Sequence, residues 1–503
     1  MHRRSVLALL GSTLSAGCAG FGANSSSTDS PAGTPPTDTP TGTEPPSDDG
    51  TGLQPEQRWS LVDFETLSRT VSVTPTTRTT DDGGSVAVVF ERTATADGPA
   101  RLRGTLTNES PYANTFELRR VPLFDTVPAA WPGDRPHDES YTYRDELLLA
   151  PTENHAIAET VPDWSQAPDG RWRLAGEADG PWLPETHRLG AGESVTFEYA
   201  LLGRREGSGF PTARYHFRGD GGVDTGVVLA VWETGNPGPT TSSAFEGTVV
   251  PPLPGTKEMA WYHDADATTT AYLEPAAQRL ELPASVEFTL RNHGRAELSG
   301  NPYFWKLWKH VDGQWFHVAP WGWPVPLTWV PPGDTESWTL AAFGGKAVEC
   351  DEARSVGHLG GGRYAFQIGI GRDKRTHAAL LDVEAPPASV EPTEGLTVER
   401  DGGVVTVDWP HREDEVPQAT LTLTRAAGVD PDTRLITEQV MQNRNVALRN
   451  TLAFWGEETE RVELVTDRNT VSRGARTGGY EDGTFQFRYE GTAFEAAADF
   501  ESS

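Results

Sequence analysis

The sequence predicts a mainly β protein: two tandem antiparallel β-sandwiches, then a C-terminal α+β domain, all behind a disordered N-terminal stalk. Three observations carry that prediction. Short runs such as SVAVVFERTA (85–94), ARLRGTLTN (100–108) and ESVTFEYALL (193–202) alternate with period two and are rich in β-branched residues. Three landmarks recur in the same order along the chain, as an internal duplication would make them. Finally, residues 19–55 are Pro, Thr, Ser and Gly with five acids and no basic residue, leaving almost nothing to bury. At 503 residues the chain is too long for a single core. The expected divisions are 1–17, 18–55, 56–235, 240–388 and 389–503.

The N-terminus reads MHRRSVLALL, then LSAGC ending at Cys18. An Arg-bearing start, a short apolar run and a small-residue site closed by cysteine resemble a lipoprotein signal of the twin-arginine type, with Arg3 and Arg4 as the pair. Leucine stands four residues before Cys18, where the commonest lipobox has it three before. The apolar run is too short to span a bilayer, so a lipid on Cys18 is the expected membrane attachment. Residues 18–55 would then form a stalk stiffened by proline and like charge, reaching roughly 110 Å at polyproline rise. Asn24-Ser25-Ser26 is a glycosylation sequon within it. With Cys18 lipidated, Cys350 has no partner and is expected to be a small buried residue.

ARLRGTLTN at 100–108 answers ASVEFTLRN at 284–292; GAGESVTF at 190–197 answers PPGDTESW at 331–338; PTARYHF at 211–217 answers GGGRYAF at 360–366. The offset falls from 184 to 141 between the first two landmarks, so the first copy holds an insertion of about 43 residues. It is expected within residues 135–170, as long loops with a short helix. Asn108 and Asn292 match, as do Gly192 and Gly333, and Asn is expected there for its turn chemistry.

Residues 302–338 hold seven of the sixteen tryptophans. PYFWKLWKHV (302–311) and QWFHVA (314–319) flank Asp312-Gly313, a strong hairpin signal. Trp305, Leu307 and Val311 share one face of the first strand; Phe304, Trp308 and His310 share the other. Burying an indole removes about 150–250 Å² from water, so Trp305, Trp315 and Trp338 are assigned to the sandwich interior. Trp321, Trp323 and Trp329 fall in the proline-rich APWGWPVPLTWVPP, where no central strand forms. They are the candidate ligand-binding residues.

Thr289-Leu290-Arg291-Asn292, the aromatic strand, Asp312-Gly313-Gln314-Trp315, Pro331-Pro332-Gly333-Asp334 and Gly362-Arg363-Tyr364 together resemble bacterial Ig-like domains of secreted lipoproteins. The resemblance covers residues 280–372 and, more loosely, 85–217, and implies a β-sandwich with no catalytic residues to carry over. In 389–503, VVTVDWP and ATLTLTRA read as strands. DPDTRLITEQVMQ reads as a helix with Asp430 as N-cap and Pro431 at N1, extending a stripe from Ile436 and Val440 to Leu448 and Leu452. RVELVTD (461–467) and GTFQFRYEGTAFEA (483–496) return to strands. This α+β module is similar to C-terminal modules of haloarchaeal lipoproteins.

Asp plus Glu number 72 against 42 Lys plus Arg, a formal charge of −30, and only five of the cations are lysine. Such a surface repels phosphate backbones, excluding a nucleic-acid partner. Acid excess with scarce lysine resembles the proteome of a salt-adapted archaeon, where salt screens the self-repulsion. No His-Glu-x-x-His, Cys-x-x-Cys, Gly-x-Ser-x-Gly or phosphate loop occurs. GHLGGGRY (357–364) leads into a strand rather than a helix, and HDAD (263–266) lacks the density of a calcium loop. Arg214 and Arg363, at equivalent repeat positions, are read as partners of sandwich-edge carboxylates. No cofactor, metal or catalytic residue is assigned, and the chain is read as a non-enzyme. It is expected on the outer face of the cell membrane, held by the lipid and contacting envelope proteins or glycans. A carbohydrate-binding module using Trp321, Trp323 and Trp329 is the alternative, and a hydrolase would need two carboxylates to meet across a cleft.

Overall fold

The computed structural model describes residue 53 and residues 56–124, 129–131, 147–176, 181–204, 210–217, 226–256, 258–372, 375–409, 418–472 and 484–500. Arg3, Arg4, Cys18, the sequon at Asn24 and residues 18–52 of the expected stalk lie outside them.

The chain is mainly β, as its alternating runs predict. In the first part, Ser60–Asp63, Thr70–Thr74, Val227–Trp232, Ala213–Phe217 and Ala129–Trp131 form one antiparallel sheet. Thr77–Thr79, Gly84–Arg92, Arg101–Asn108 and Ser194–Gly203 lead a second. Val71, Tyr215 and Leu229 from the first sheet share one core with Val88, Leu102, Phe197 and Tyr199 from the second. The described residues of the expected insertion form strands and no helix: Leu147–Pro151 and Trp164–Gln166 join this second sheet, as does Trp172–Leu174 just after them. Leu148, Ala150, Leu174 and Trp182 cluster with Ala200 and Leu202 of Ser194–Gly203 in a second, smaller apolar group on the far face of that sheet. That strand is therefore buried on both faces, and an apolar partner layer forms in place of a solvated loop.

The second part also packs two sheets around one core. Ala271–Pro275, Ala284–Asn292, Thr335–Ala342 and Ala353–Val356 form one sheet; Glu258–Trp261, Arg375–Glu384, Gly362–Arg372, Leu298–Val311 and Gln314–Ala319 form the path of the other. Phe288, Leu290 and Trp338 from the first share a core with Trp305, Tyr364 and Phe366 from the second. The Asp312-Gly313 turn has φ of 47° and 78°, as a two-residue hairpin requires.

The matched sequence landmarks make matching hydrogen bonds. Asn108 and Asn292 are both buried. Asn108 Nδ2 donates to the carbonyls of Tyr112 and Gly190 at 2.8 Å, and Asn292 Nδ2 to those of Ala296 and Val330 at 2.9 and 2.8 Å. Gly192 N–H donates to Asn108 O and Gly333 N–H to Asn292 O. Tyr215 and Tyr364, both fully buried, each donate the phenol to a carbonyl four residues upstream, Pro211 and Gly360.

In the C-terminal part, Thr397–Asp401, Val404–Asp408, Arg461–Asp467, Gln418–Arg425, Thr492–Phe500 and Thr484–Tyr489 form one six-stranded sheet. The helix expected from Asp430 does not form there. Residues 433–435 run beside the strand Thr484–Tyr489, with Leu435 N–H donating to Arg488 O and Arg488 N–H to Thr433 O, while Asp430 pairs with the Arg488 guanidinium. Helix starts only at Thr437–Val440, breaks at Gln442 (ψ 148°) and resumes at Val446–Leu452. The predicted stripe Ile436, Val440, Leu448 and Leu452 is nevertheless buried.

Candidate functional site

The tryptophans divide by what surrounds them. Trp305 and Trp338 lie in the second core, and the Trp338 indole donates to Pro302 O at 2.7 Å. Trp315 is buried elsewhere: with Trp308 it packs on Phe245 and Leu253 against the sheet's outer face, its indole donating to Pro251 O. The sandwich-interior assignment of Trp315 is thereby corrected. Phe245, Val250 and Leu253 cover that face, which is why both sides of the strand carry aromatics.

Trp321 and Trp323 sit in the loop after Gln314–Ala319, whose prolines deny it a ladder partner, and Trp329 lies on the short strand Thr328–Val330 that follows, opposite Ser299. Trp321 and Trp329 are 44% and 38% exposed, and Tyr303, Val325 and Leu327 nearby are exposed too. Each indole meets a cation of this same chain. Arg444, from the C-terminal part, lies 3.4 Å from the Trp321 ring centre, and Arg58, from the start of the first part, 4.1 Å from that of Trp329. Trp323 meets Phe304 edge-on at 4.6 Å, and Lys306 Nζ lies 5.2–5.9 Å from the rings of Phe304, Trp308 and Trp323. This segment thus touches all three parts of the fold.

Its electrostatics are unusual for so acidic a chain. From Leu298 to Gly333 the sequence contains one carboxylate, Asp312, and that is paired with Arg434 at 2.7 Å. Neither Lys306 nor Arg444 has a carboxylate within ion-pair distance among the described residues. Burial holds the Lys306 ammonium below its usual value and brings Arg444 down to about 10. His317, 4.3 Å from Trp321, is lowered to about 4 by burial first and then by repulsion from Lys306 and Arg444.

Other charged groups join elements together. Arg214 pairs with Asp334 and donates to Thr335 Oγ1 at 2.7 Å, linking the first part to the second. Its repeat equivalent Arg363 pairs with Asp382 on the neighbouring strand. Lys309 and Glu438 form a buried pair between the second part and the helix Thr437–Val440, with Gly360 N–H also donating to Glu438. Glu198 is buried, accepts from Thr152 at 2.6 Å and pairs with Arg101; the donors outweigh the cost of burial and hold it down to about 2. The sequence reading missed both carboxylates. Glu198's place inside the apolar run TFEYALL was the available signal. Cys350 is exposed, not buried, because it lies in the polar segment between Thr335–Ala342 and Ala353–Val356. In HDAD, His263 is buried while Asp266 caps Thr268 and Thr269, and no group of metal ligands occurs among the described residues.

No protein-family profile and no curated protein sequence matches the chain. Among solved structures it is similar to a beta-glucosidase from Listeria innocua (12% identity, TM-score 0.14, covering 23% of this chain and 16% of that one). It is also similar to a polysaccharide lyase (11% identity, TM-score 0.13, covering 62% and 36%). Likeness at that level carries no argument about fold or activity, and the chain spans only a minor part of either protein.

Proposed function

We propose that this is a non-enzymatic, lipid-anchored surface protein of a halophilic archaeon, held outside the membrane through Cys18. Its folded part would present two tandem Ig-like sandwiches and an α+β module for contact with the envelope. The observation that carries this reading is how the charged groups are used. Arg214–Asp334 and Lys309–Glu438 join successive parts, so the polar groups a catalyst would need in a cleft are committed to holding a presenting unit together. The tyrosine hydroxyls of Tyr215 and Tyr364, each bonded just upstream of its strand, support the Ig-like reading, since such corners mark those sandwiches. The acid-rich, lysine-poor composition supports the salt-adapted origin. No helix among the described residues is long and apolar enough to cross a membrane.

The test is Cys18→Ser in the native host. The variant should pass from the membrane fraction to the medium with an unchanged circular dichroism spectrum. Retention in the membrane would remove the anchor assignment. A second reading, a carbohydrate-binding surface lipoprotein using Trp321, Trp323 and Trp329, is favoured by the exposure of Trp321 and Trp329 in a segment that lacks carboxylates.

A further inference from the structure

A chain with 72 acids spreads carboxylates over nearly every surface segment, so a surface without them calls for an explanation. Residues 298–333 come close to that, holding a single carboxylate, the Arg434-paired Asp312, and the two cations that lie against their aromatic side chains without a carboxylate partner are not randomly placed. Lys306 is ringed by Phe304, Trp308 and Trp323, and Arg444 lies on Trp321. Arg444 Nε is sealed from solvent without a hydrogen bond, whereas its terminal nitrogens are not sealed and bond no protein group. His317 lies between Trp308 and Trp321 with its Nε2 sealed from solvent, so it adds packing and no charge partner to the surface. Two partly desolvated cations, an exposed indole at Trp321, a half-buried one at Trp323 and no competing anion make a surface that repels nothing negative and offers flat apolar faces beside its charges.

We infer that Lys306, Arg444, Trp321 and Trp323 form a binding site for an anionic saccharide, a sugar bearing carboxylate or sulfate groups. This rests on the carbohydrate-binding reading above and specifies its ligand class. The anionic group pairs with the Lys306 ammonium and the open guanidinium nitrogens of Arg444. The C–H face of the sugar ring lies on the exposed indole. A neutral sugar gains only the stacking and leaves both cations unpaired. An acidic peptide gains the pairing but has no rigid C–H face for the indoles.

The experiment is a fluorescence titration of the full-length protein with oligogalacturonate, sulfated dextran, neutral dextran and polyglutamate over a series of salt concentrations. The two anionic saccharides should shift the tryptophan emission, and one binding more tightly than the other identifies the anion as uronate or sulfate. Affinity should fall as salt rises. Lys306→Gln and Arg444→Gln should each weaken binding about tenfold. Lys306→Arg should keep it, and Lys346→Gln, which changes an exposed lysine elsewhere, should leave it unchanged. Retained binding by Lys306→Arg separates loss of charge from loss of fold. Neutral dextran binding as well as the anionic saccharides would overturn the ligand class while sparing the carbohydrate reading. Polyglutamate binding equally well would assign the surface to an acidic protein, and no response to any saccharide would remove both readings.

Discussion

Replacing Gly333 by alanine tests how the first two parts of the fold are joined, because the molecule supplies its own control. Gly333 and Gly192 are the same position of the duplicated turn, and both have positive φ, 82° and 69°. Alanine at either site bears the left-handed backbone cost of about 1–2 kcal/mol. Their surroundings differ. A Cβ on Gly192 would meet nothing within 4 Å, whereas one on Gly333 would lie 2.2 Å from Ser72 Oγ and 2.6 Å from Ala230 Cβ. Ser72 and Ala230 are buried in strands of the first part and have no room to retreat. Overpacking of this kind costs a further 1–3 kcal/mol or so. Gly192→Ala should therefore lose about 1–2 kcal/mol in equilibrium urea unfolding, and Gly333→Ala about 2–5 kcal/mol. The excess should be relieved by separating the two parts, so it should also appear as faster proteolysis near residues 233–240. Arg214–Asp334 and the stacking of His293 on Trp232 at 5.3 Å hold the same contact and would loosen with it. Equal destabilisation by the two alanines would refute the close approach of Gly333 to the first part.

Two further outcomes follow from buried charge. Glu438→Gln leaves the Lys309 ammonium buried without its counter-ion, and should cost about 3–5 kcal/mol; the paired change Lys309→Met with Glu438→Leu should recover much of it. Hydrogen exchange over residues 437–452 reads the effect, and unaltered protection in Glu438→Gln would contradict the pairing. His155 is buried among Phe124, Phe197 and Tyr199 with neither ring nitrogen bonded, and burial lowers it to about 4. The unfolded chain takes up that proton first, near pH 6.5, so the contribution is complete above 6.5 and lost as the pH falls toward 4. It is on the order of 3 kcal/mol. Urea unfolding between pH 7.5 and 4.5 should show a shallower pH slope for His155→Leu than for the natural chain, and equal slopes would exclude the assignment.

Where a residue's role depends on its neighbours in the chain, the sequence was a sufficient guide. Period-two alternation marked the strands, Asp312-Gly313 marked its hairpin because few residues tolerate two successive positive φ values, and the repeat landmarks placed Asn108 opposite Asn292. Trp305 and Trp338 could be assigned to a core from pattern alone. Trp315 could not, because its strand is covered on the outer face by Phe245, Val250 and Leu253, more than fifty positions upstream. The helix expected from Asp430 failed for the same kind of reason. Asp and Pro are good helix starters locally, but a strand edge at residues 484–489 offered the backbone of 433–435 hydrogen bonds that a helix would have had to forgo.

The candidate site shows the same division. Its indoles, prolines and missing carboxylates are composition, readable without coordinates. That Arg444 lies on Trp321, that Arg58 lies on Trp329, and that Lys309 and Glu438 are buried together depends on contacts between positions more than a hundred residues apart. One-dimensional pattern records how each segment buries its own face. Which segment does the burying is settled only when the whole chain has found its packing, since the energy of a contact belongs to both partners and is written in neither alone.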